Sequence, residues 1–303
     1  MSRPVGFAPY APRDVGFANA LVEIVAENRA YWPLTARQVF YRYVALTGSS
    51  KGNLADKVTD TLVRLRRAQV IPFGAIRDDG VSPLVEPTWT TPIQFLDGID
   101  PDLFAIDPWA EQDATVRVMV EAAGMAPALH RAVSDLFVPV IGMGGFPSVT
   151  LLHDVAQELA RRREAVILLV SDLDPEGLTM RERIHSDILG FLQGIDGVCE
   201  NLKTVTVALN IDQTDGLPTS PDKPRKAENV RGAWTRFCAS NGWPEDRVIQ
   251  AEALPPAEIH RLVREAIERE VIDAPAWDEA KAKSEAGRET LQLALAKARE
   301  AAA

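Results

Sequence analysis

The stretch "AVILLVSDLDPEG", Ala165–Gly177, indicates the class of fold. Its first six residues are all apolar, a length that suits a buried strand better than a helix. A strand without alternation of apolar and polar residues is typical of a parallel sheet covered on both faces. The strand runs into Asp172 and Asp174, and the proline and glycine that follow indicate a turn into a helix. The sequence therefore predicts a buried strand that ends on paired carboxylates.

The segments around this strand alternate between strand and helix patterns. In chain order we predict a strand at 116–120, a helix at 126–136, a strand at 137–141, a helix at 149–163 and, after a further helix, a strand at 203–210. Such alternation indicates an α/β domain with a parallel sheet. The glycine-rich turn "GMGGFPS" has neither the GxGxxG spacing nor a Gly-Lys-Ser/Thr motif, which argues against a nucleotide site.

The first part of the chain has a different pattern. Three segments show apolar residues at helical spacing and precede a predicted β-ribbon with its turn at Gly74; they are residues 13–32, 35–46 and 53–69, and the ribbon is 70–80. Three helices and a ribbon form a winged helix-turn-helix, whose third helix enters a DNA groove.

We therefore predict three regions along the chain. A winged-helix domain occupies 1–80, a connector occupies 81–110, and a parallel α/β domain with C-terminal helices occupies 111–303. The Ala-rich segment from Trp277 onward is compatible with a packed helix, a dimer element or a frayed tail. The sequence pattern does not choose among these three alternatives.

The charge distribution permits a nucleic-acid partner despite a net charge of −10. Residues 35–77 contain eight Lys and Arg against two Asp, and phosphate binding requires Lys and Arg. On the predicted third helix, Lys57, Arg64 and Arg67 can form one basic stripe. With Arg42 and Arg77 they are the candidate DNA contacts. The alternative is an ordinary solvated helix face.

Two further features of the sequence limit the classes of protein to which the chain can belong. No apolar run approaches the ~18 to 20 residues that a membrane span needs, so we expect a cytoplasmic protein without a membrane segment. Cys199 and Cys238 stand alone, without CxxC or His partners, and are predicted to be packing residues.

Three carboxylates are expected to meet at one edge of the sheet. The functional crevice of a parallel α/β sheet lies outside the carboxyl ends of its strands. If the strand order is the common 2-1-3, Glu121 follows a strand that neighbours the strand before Asp172, and Asp174 projects to the same side as Asp172. Crowded carboxylates repel one another unless a cation lies between them, and oxygen ligands suit Mg²⁺. Turn formation or helix capping is the alternative role for an Asp-x-Asp at a strand end.

Two motifs of the α/β region resemble the Toprim domain, which holds Mg²⁺ in topoisomerases, primases and some nucleases. They are "VMVE" at 118–121 and, about fifty residues later, "VSDLDPEG" at 170–177. The intervening "LFVPVIGMGGFPS" is similar to the second strand and turn of the topoisomerase VI A subunit and the meiotic double-strand-break proteins. "TARQVFYRYV" at 35–44 resembles the stretch of their winged-helix domain that carries a catalytic tyrosine.

The resemblance implies a role for each matching residue. Tyr41 would be the nucleophile. The Mg²⁺ ligands would be Glu121, Asp172 and Asp174. In this family the tyrosine of one subunit works with the Toprim metal of its partner, so the resemblance implies a homodimer. Because the chain has no nucleotide loop, strand passage would need a separate ATPase subunit. Two positions depart from the family: Ala122 replaces a lysine, and Glu176 alone represents the third acid of the aspartate run.

Tyr41 is the residue on which the chemistry depends. A helix capped by Thr35 would present an apolar face made of Ala36, Phe40, Tyr43, Val44 and Thr47. Tyr43 is then predicted to be core, and Tyr41 to lie on the flank with its hydroxyl facing outward. A phenol with a pKa near ~10 needs a base or a cation to attack phosphorus, and Arg37, one turn earlier, is placed to help or to hold the phosphate. A boundary residue without chemistry is the alternative.

These observations predict magnesium-dependent cleavage of double-stranded DNA by transesterification, with a phosphotyrosyl intermediate at Tyr41. The expected protein is a nucleoid-associated, topoisomerase VI A-like enzyme. Two alternatives stay open. One is a Toprim nuclease in which metal-activated water cleaves DNA and Tyr41 is structural. The other is a non-catalytic DNA-binding or assembly protein that keeps the fold.

Overall fold

The structure is a computed structural model that describes residues 14–48, 53–77, 88–221, 228–270 and 273–302. Its helices are α1 (Val15–Glu27), α2 (Ala36–Thr47), α3 (Leu54–Arg67), α4 (Pro92–Asp97), α5 (Ala126–Ala132), α6 (Val149–Leu159), α7 (Pro175–Gly194), α8 (Glu228–Asn241), α9 (Pro256–Glu268) and α10 (Ala274–Ala302). Its strands are β1 (Leu34–Thr35), β2 (Ile76–Arg77), β3 (Ala114–Val120), β4 (Val140–Gly142), β5 (Glu164–Val170), β6 (Asn201–Ala208), β7 (Ser220–Pro221) and β8 (Arg247–Val248).

A four-stranded parallel sheet lies at the centre of the α/β region. Its strand order is β4-β3-β5-β6, so the first strand of this unit lies between the second and the third. The prediction of a parallel sheet is therefore confirmed, and the observed order meets the 2-1-3 condition on which the expected meeting of the carboxylates depends. The register pairs Val120 with Val170, which brings the carboxyl ends of β3 and β5 to the same level.

Strand β5 is buried on both faces, as its unbroken apolar sequence predicts. Val166, Leu168 and Val170 belong to one buried cluster. The residues between them pack into a second cluster with α6 and α7 on the opposite face of the sheet. Successive side chains of a strand point to opposite faces, so a strand between two helix layers must be apolar at every position.

The cluster on the first face does not stop at the α/β region. It continues through α5 and α9 into the three N-terminal helices, and it includes Leu21, Val39 and Leu62 of α1, α2 and α3. The predicted winged-helix region and the sheet therefore share one hydrophobic core. The turn Ala251–Ala253 packs against α2 and the turn Ala123–Met125 packs against β1, while α9 packs on β5 and β6, so these segments connect the N-terminal helices to the sheet.

The three N-terminal helices lie where the sequence predicts them, and Thr35 caps α2. The Gln38 N–H donates to Thr35 Oγ1 over 3.0 Å, and the Thr35 N–H donates to Gln38 Oε1 over 2.8 Å. This reciprocal capping box satisfies two backbone donors that the first turn of a helix leaves unpaired.

The β-ribbon predicted at 70–80 is wrong in the described part of that segment. Residues Phe73–Ala75 form a 3-10 turn, and β2 pairs in parallel with β1 instead of turning back as a hairpin. The physical reason is burial, because Ile71, Ala75 and Ile76 lie in the core beneath the helices and cannot project as an exposed wing. Residues 78–80 of the predicted ribbon lie outside the described residues.

Boundaries also differ around the second strand of the unit. The helix predicted to reach Leu136 ends at Ala132 and is followed by a 3-10 turn. Phe137 adopts a left-handed conformation with φ 54°, and β4 begins only at Val140. A left-handed residue ends helical geometry, and Pro139 has no N–H to donate to a neighbouring strand.

The C-terminal segment is a helix packed on the connector, which is the first of the three alternatives, and a further role as a dimer element is not tested. Helix α10 lies along the connector, and side chains of the helix form hydrogen bonds with the backbone of the connector. Arg299 Nη2 donates to Leu96 O over 3.0 Å, Arg288 Nε donates to Phe104 O over 2.8 Å, and Ser284 Oγ accepts from the Ile106 N–H. The connector itself contains α4 and a 3-10 turn at Pro101–Leu103.

Removing a β5 side chain tests the two-faced burial of this strand. We expect Leu168→Ala to lower the free energy of unfolding by roughly 2–5 kcal/mol, because Leu168 is 0% exposed and its truncation leaves a cavity. Urea denaturation measures this change. Leu46→Ala on α2 is the matched control, since Leu46 is 70% exposed. Equal losses for the two variants would contradict the burial of β5.

Candidate active site

The acid rim, defined as Glu121, Asp172 and Asp174, lies at the carboxyl ends of β3 and β5. The Glu121 N–H donates to Val170 O over 2.9 Å, which extends the pairing of the two strands by one residue. The Asp172 N–H then donates to Glu121 Oε2 over 2.9 Å. The structure thus places Glu121 and Asp172 in direct contact, because the parallel register aligns the two strand ends.

Asp174 also caps helix α7. Its Oδ1 accepts from the Gly177 N–H over 2.6 Å, and Pro175 occupies the first helical position. A side chain at Gly177 would place Cβ 2.3 Å from Asp172 O, so only glycine allows the chain to turn this tightly. The helix-capping alternative for Asp174 is therefore observed, while its role as a metal ligand stays a prediction.

Burial raises the pKa of Asp172 and Glu121, and the charge of a neighbouring rim carboxylate adds to each rise. Burial, followed by the charge of Glu121, raises the pKa of Asp172 to about 8, although the Ala251 N–H, 2.8 Å from Asp172 Oδ1, opposes this shift. Burial also raises the pKa of Glu121, and the charge of Asp174 adds to the rise against the hydrogen bond from the Asp172 N–H. The charged forms of Asp172 and Glu121 are disfavoured because both carboxyl groups are largely removed from water.

Arg181, a residue that the sequence analysis did not select, supports the rim from α7. Its Nε donates to Ser171 Oγ over 2.8 Å, and its Nη2 donates to Asp172 O and Leu209 O, each over 3.0 Å. The guanidinium lowers the pKa of Glu121. A signal for this residue was present, since Arg181 lies seven positions after Asp174 and therefore on the same face of the helix.

The rim fits Mg²⁺ in its ligand chemistry. All three side chains offer carboxylate oxygens, which a hard cation prefers, and their mutual repulsion is the kind that a cation relieves. Among the described residues, no group of three or more His, Cys, Asp and Glu side chains already has metal-ligand spacing. Each rim carboxylate accepts a backbone hydrogen bond. Magnesium binding here therefore stays a prediction.

Tyr41 is buried, so the expectation that its hydroxyl faces outward is wrong. Its side chain is 3% exposed, whereas Tyr43, the predicted core residue, is only half-buried and packs edge-on against Phe17. The flank of α2 that carries Tyr41 is covered by the 3-10 turn Ala251–Ala253 from the far end of the chain. A helical-wheel argument considers one helix alone and has no means to include a second covering surface.

The charged residues that interact with Tyr41 include Arg37 and Asp172, which the predicted chemistry uses. Its phenol forms a hydrogen bond with the Arg37 guanidinium and lies within range of the charges of Glu252 and Asp172. Burial raises the pKa of Tyr41 to about 12, and Arg37 opposes this rise. The predicted catalytic pair and the acid rim are therefore neighbours within one chain.

The turn Ala251–Ala253, named here the bridge turn, joins α2 to the acid rim. Glu252 accepts from Thr35 Oγ1 and from Arg37 Nε, each over 2.9 Å. The Arg42 guanidinium donates to the backbone oxygen of Ala253. Preceding the turn, Leu173 and Ile249 form an isolated β-bridge. Glu252 was missed from the sequence, where its only signal is a single acid within the apolar stretch "AEALPP".

The five candidate DNA contacts have different environments. Lys57, Arg64 and Arg67 are exposed on α3. Lys57 Nζ also lies 3.0 Å from Asp14 Oδ2 and 4.1 Å above the Phe17 ring centroid. Arg42 is half-buried in its contact with the bridge turn, and the side chain of Arg77 lies outside the described residues. A DNA contact stays a prediction for all five.

Both cysteines are free and serve in packing, as predicted. Cys238 is buried in the larger core cluster, and Cys199 packs at the edge of the cluster around α6 and α7.

The chain matches no model of a known protein family, no curated protein and no solved structure. None of the helices in the described ranges is long and apolar enough to span a membrane.

The raised pKa of Asp172 predicts how stability depends on pH in the absence of divalent cations. Because burial and the charge of Glu121 raise the pKa of Asp172 to about 8, the folded state keeps this proton at pH values at which the unfolded chain, with the ordinary pKa of 3.8, has released it. The folded state therefore loses stability as pH rises between these values. We expect Asp172→Asn to be more stable than the wild type at about pH 8, and to lose less stability between about pH 5 and pH 8.

Urea denaturation in the presence of a chelator measures this difference. Asp187→Asn, at an exposed position of α7, is the control and is expected to keep the wild-type pH dependence. A wild-type protein and an Asp172→Asn variant with parallel stability profiles would show that Asp172 is ionised in the folded state.

Proposed function

We propose that this protein cleaves double-stranded DNA by magnesium-dependent transesterification, with Tyr41 as the nucleophile. The observation that carries the proposal is the position of Tyr41 and Arg37. Both lie close enough to Asp172 of the acid rim to interact with it electrostatically. Helices α1–α3 would act as the DNA-binding region, without the β-ribbon that the sequence predicted and that the described residues do not form, and the β4-β3-β5-β6 sheet as the Toprim region. A homodimer, with a separate ATPase subunit for strand passage, and association with the nucleoid belong to the same proposal.

The reaction would exchange one phosphodiester bond for another. The Tyr41 oxygen forms a bond to phosphorus, and the bond from phosphorus to the leaving deoxyribose oxygen breaks. The proton that the phenol releases to water is balanced by one that the leaving oxygen takes up from water, which gives a free deoxyribose hydroxyl. With a pKa of about 12, Tyr41 is neutral in the resting protein, so attack requires help in removing this proton. Arg37 provides part of that help, because its charge and hydrogen bond favour the phenolate. Its guanidinium also suits a phosphate oxygen.

The three rim residues would hold Mg²⁺, which supplies positive charge beside the phosphate when it is bound. Glu121 and Asp172 would act together, since they are already hydrogen-bonded. Asp174 would join them from the N-cap position of α7, where the hydrogen bond from the Gly177 N–H holds its Oδ1 in place.

One observation favours a second candidate, a nuclease that uses metal-activated water. Tyr41 is 3% exposed, so a DNA phosphate reaches its hydroxyl only after a movement that uncovers the side chain. A water nucleophile on the acid rim needs no such movement. In that case Tyr41 is a buried structural residue whose hydroxyl is satisfied by Arg37.

Cleavage of supercoiled plasmid separates these candidates. With Mg²⁺ and a denaturing stop, we expect the wild type to produce cut DNA with protein covalently attached, and Tyr41→Phe to produce none, because the substitution removes the nucleophile. Tyr43→Phe is the matched control, since Tyr43 lies two positions away on the same helix and packs against Phe17. Protein-linked DNA is detected by its mobility before and after protease treatment.

The other outcomes each select a different function. Cleavage by Tyr41→Phe with free DNA ends, abolished by Asp172→Ala, would identify the nuclease. DNA binding without any cleavage, with Mg²⁺ and partners present, would favour a non-catalytic assembly protein.

DNA affinity should depend on the exposed arginines of α3. We expect Arg64→Ala/Arg67→Ala to weaken binding to duplex DNA and to reduce the slope of log affinity against log salt by roughly 1.8, about 0.9 for each lost phosphate contact. Fluorescence anisotropy over a salt series measures both quantities.

The matched control is Arg161→Ala/Arg163→Ala. These exposed arginines precede β5, at the end of the sheet opposite the acid rim. If this control pair reduces the salt slope as much as the α3 pair does, then α3 is not the DNA-binding surface.

A further inference from the structure

We propose that Arg181 is a positioning residue that holds the acid rim in a fixed arrangement, and that this arrangement makes the rim select Mg²⁺ over Ca²⁺. Arg181 acts through the backbone of Asp172 and binds neither the metal nor DNA. This inference rests on the proposed function, because it concerns the cation that the rim would hold for DNA cleavage.

The guanidinium of Arg181 binds three oxygen atoms at the point where the carboxyl ends of two strands lie side by side. Its Nε donates to Ser171 Oγ over 2.8 Å, and its Nη2 donates to Asp172 O and to Leu209 O, each over 3.0 Å. Ser171 and Asp172 follow β5, and Leu209 follows β6. A guanidinium presents its donors in one rigid plane, so one side chain fixes these three oxygens relative to one another.

The pairing of β5 with β6 is irregular next to these oxygens. The register shifts beside Val170, which pairs with Ala208, and an irregularity of this kind bends a strand and disrupts its ladder locally. One residue later the pairing continues, because the Leu209 N–H donates to Ser171 O over 2.9 Å. Arg181 joins the two strand ends from a third element, α7, and so fixes a part of the sheet that strand pairing alone holds less firmly.

The backbone of Asp172 is held from both sides. Its N–H donates to Glu121 Oε2 over 2.9 Å, and its carbonyl oxygen accepts from Arg181. Gly177, one turn before Arg181 on α7, lets the helix approach the same oxygen, since a Cβ at this position would lie 2.3 Å from it. A continuous series of hydrogen bonds therefore runs from α7 through Asp172 to Glu121, and Arg181 is its anchor on the helix.

The fixed rim offers a cation a limited set of oxygens. In each rim carboxylate one oxygen already accepts a backbone N–H. Mg²⁺ is satisfied by one or two carboxylates and several waters in a nearly octahedral arrangement, whereas Ca²⁺ takes roughly six to eight oxygens in flexible arrangements. Loss of Arg181 would release the Asp172 backbone and free its carbonyl oxygen. The loosened rim then suits Ca²⁺ better and Mg²⁺ less well.

The charge of Arg181 has a separate effect from its hydrogen bonds. The guanidinium lies close enough to interact with the charges of Glu121, Asp172 and Asp174, so it opposes any divalent cation at the rim. This opposition is similar for Mg²⁺ and Ca²⁺, because the two ions carry the same charge. The ratio of the two dissociation constants therefore largely cancels the charge effect and reports the geometry of the rim.

Cation binding in the absence of DNA tests the proposal. Mg²⁺ and Ca²⁺ are titrated separately into the wild type, Arg181→Met and Arg181→Lys by isothermal titration calorimetry at constant ionic strength. We expect both substitutions to weaken Mg²⁺ binding by roughly 10-fold or more, as is typical when a residue that orients metal ligands is replaced, with a much smaller loss for Ca²⁺. The ratio of the Kd for Ca²⁺ to the Kd for Mg²⁺ then falls by roughly 10-fold. Lysine keeps the charge but lacks the planar donors, so it should not restore the ratio.

Three outcomes would overturn the proposal. An unchanged ratio in both variants would show that Arg181 affects the rim only through its charge or through overall stability. A ratio that falls in Arg181→Met and returns to the wild-type value in Arg181→Lys would show that planar donors are not required. A wild type that binds no Mg²⁺, or that binds Ca²⁺ as tightly as Mg²⁺, would show that the rim has no such selectivity.

Two control variants separate positioning from other effects. Arg183→Met removes the same charge from an exposed position two residues later on α7 and should leave the ratio unchanged. Leu21→Ala truncates a residue of α1 that is 0% exposed, and it should lower the stability of the fold without changing the ratio. A fall of the ratio in either control equal to that in Arg181→Met would contradict a specific role for Arg181.

A milder substitution covers the case in which the variants at position 181 do not fold. Ser171→Ala removes the oxygen that accepts from Arg181 Nε and leaves the guanidinium in the chain. We expect the ratio to fall in the same direction by a smaller factor, and an unchanged ratio in this variant would also overturn the proposal. Urea denaturation establishes that each variant is folded before it is titrated.

The proposed function fails or stands by a different measurement, the cleavage of supercoiled plasmid. A wild type that prefers Mg²⁺, loses this preference in the Arg181 variants and never cleaves DNA refutes the proposed function and supports the positioning role. Magnesium-dependent cleavage by the wild type, together with an unchanged ratio in the Arg181 variants, refutes the positioning role and leaves the proposed function intact.

Discussion

The hydrogen bonds of the bridge turn Ala251–Ala253 are the constraint on which the arrangement of the site depends. Each of its residues contacts a different partner, namely Asp172, the Thr35–Arg37 pair and Arg42. Separating α2 from the turn would remove the Thr35 and Arg37 donors from the buried Glu252 carboxylate, and the loss of partners from a buried charge is strongly unfavourable. The burial of Tyr41, the direction of Arg37 and the setting of Asp172 all follow from this contact.

Charge at the site is distributed so that two groups keep their protons near neutral pH. Burial raises the pKa of Tyr41 to about 12 and that of Asp172 to about 8. Arg37 lowers the pKa of both Tyr41 and Asp172 without removing these shifts, and Arg181 lowers the pKa of Glu121. A divalent cation at the rim would favour the ionised carboxylates, so metal binding and proton release from Asp172 would be coupled.

The sequence predicted correctly those features that depend only on the local residue pattern and on the direction of neighbouring strands. The unbroken apolar run of β5 specifies a strand between two helix layers, and parallel pairing then aligns Glu121 with Asp172 at the strand ends. The cap at Thr35 follows from its own short-range chemistry. The prediction failed for the ribbon at 70–80, where turn residues suggested a hairpin, because burial of Ile71 and Ile76 draws the segment beneath the helices.

The sequence by itself determined the parallel α/β class, the position of the acid rim and the helix that carries Tyr41. Only the tertiary structure decided that Tyr41 is covered, that Glu252 holds Arg37, and that α10 packs along the connector. The physical reason is the range of the contacts. Strand and helix periodicity report which face of one element is apolar, whereas Glu252 and Thr35 are 217 positions apart and meet only when the core closes.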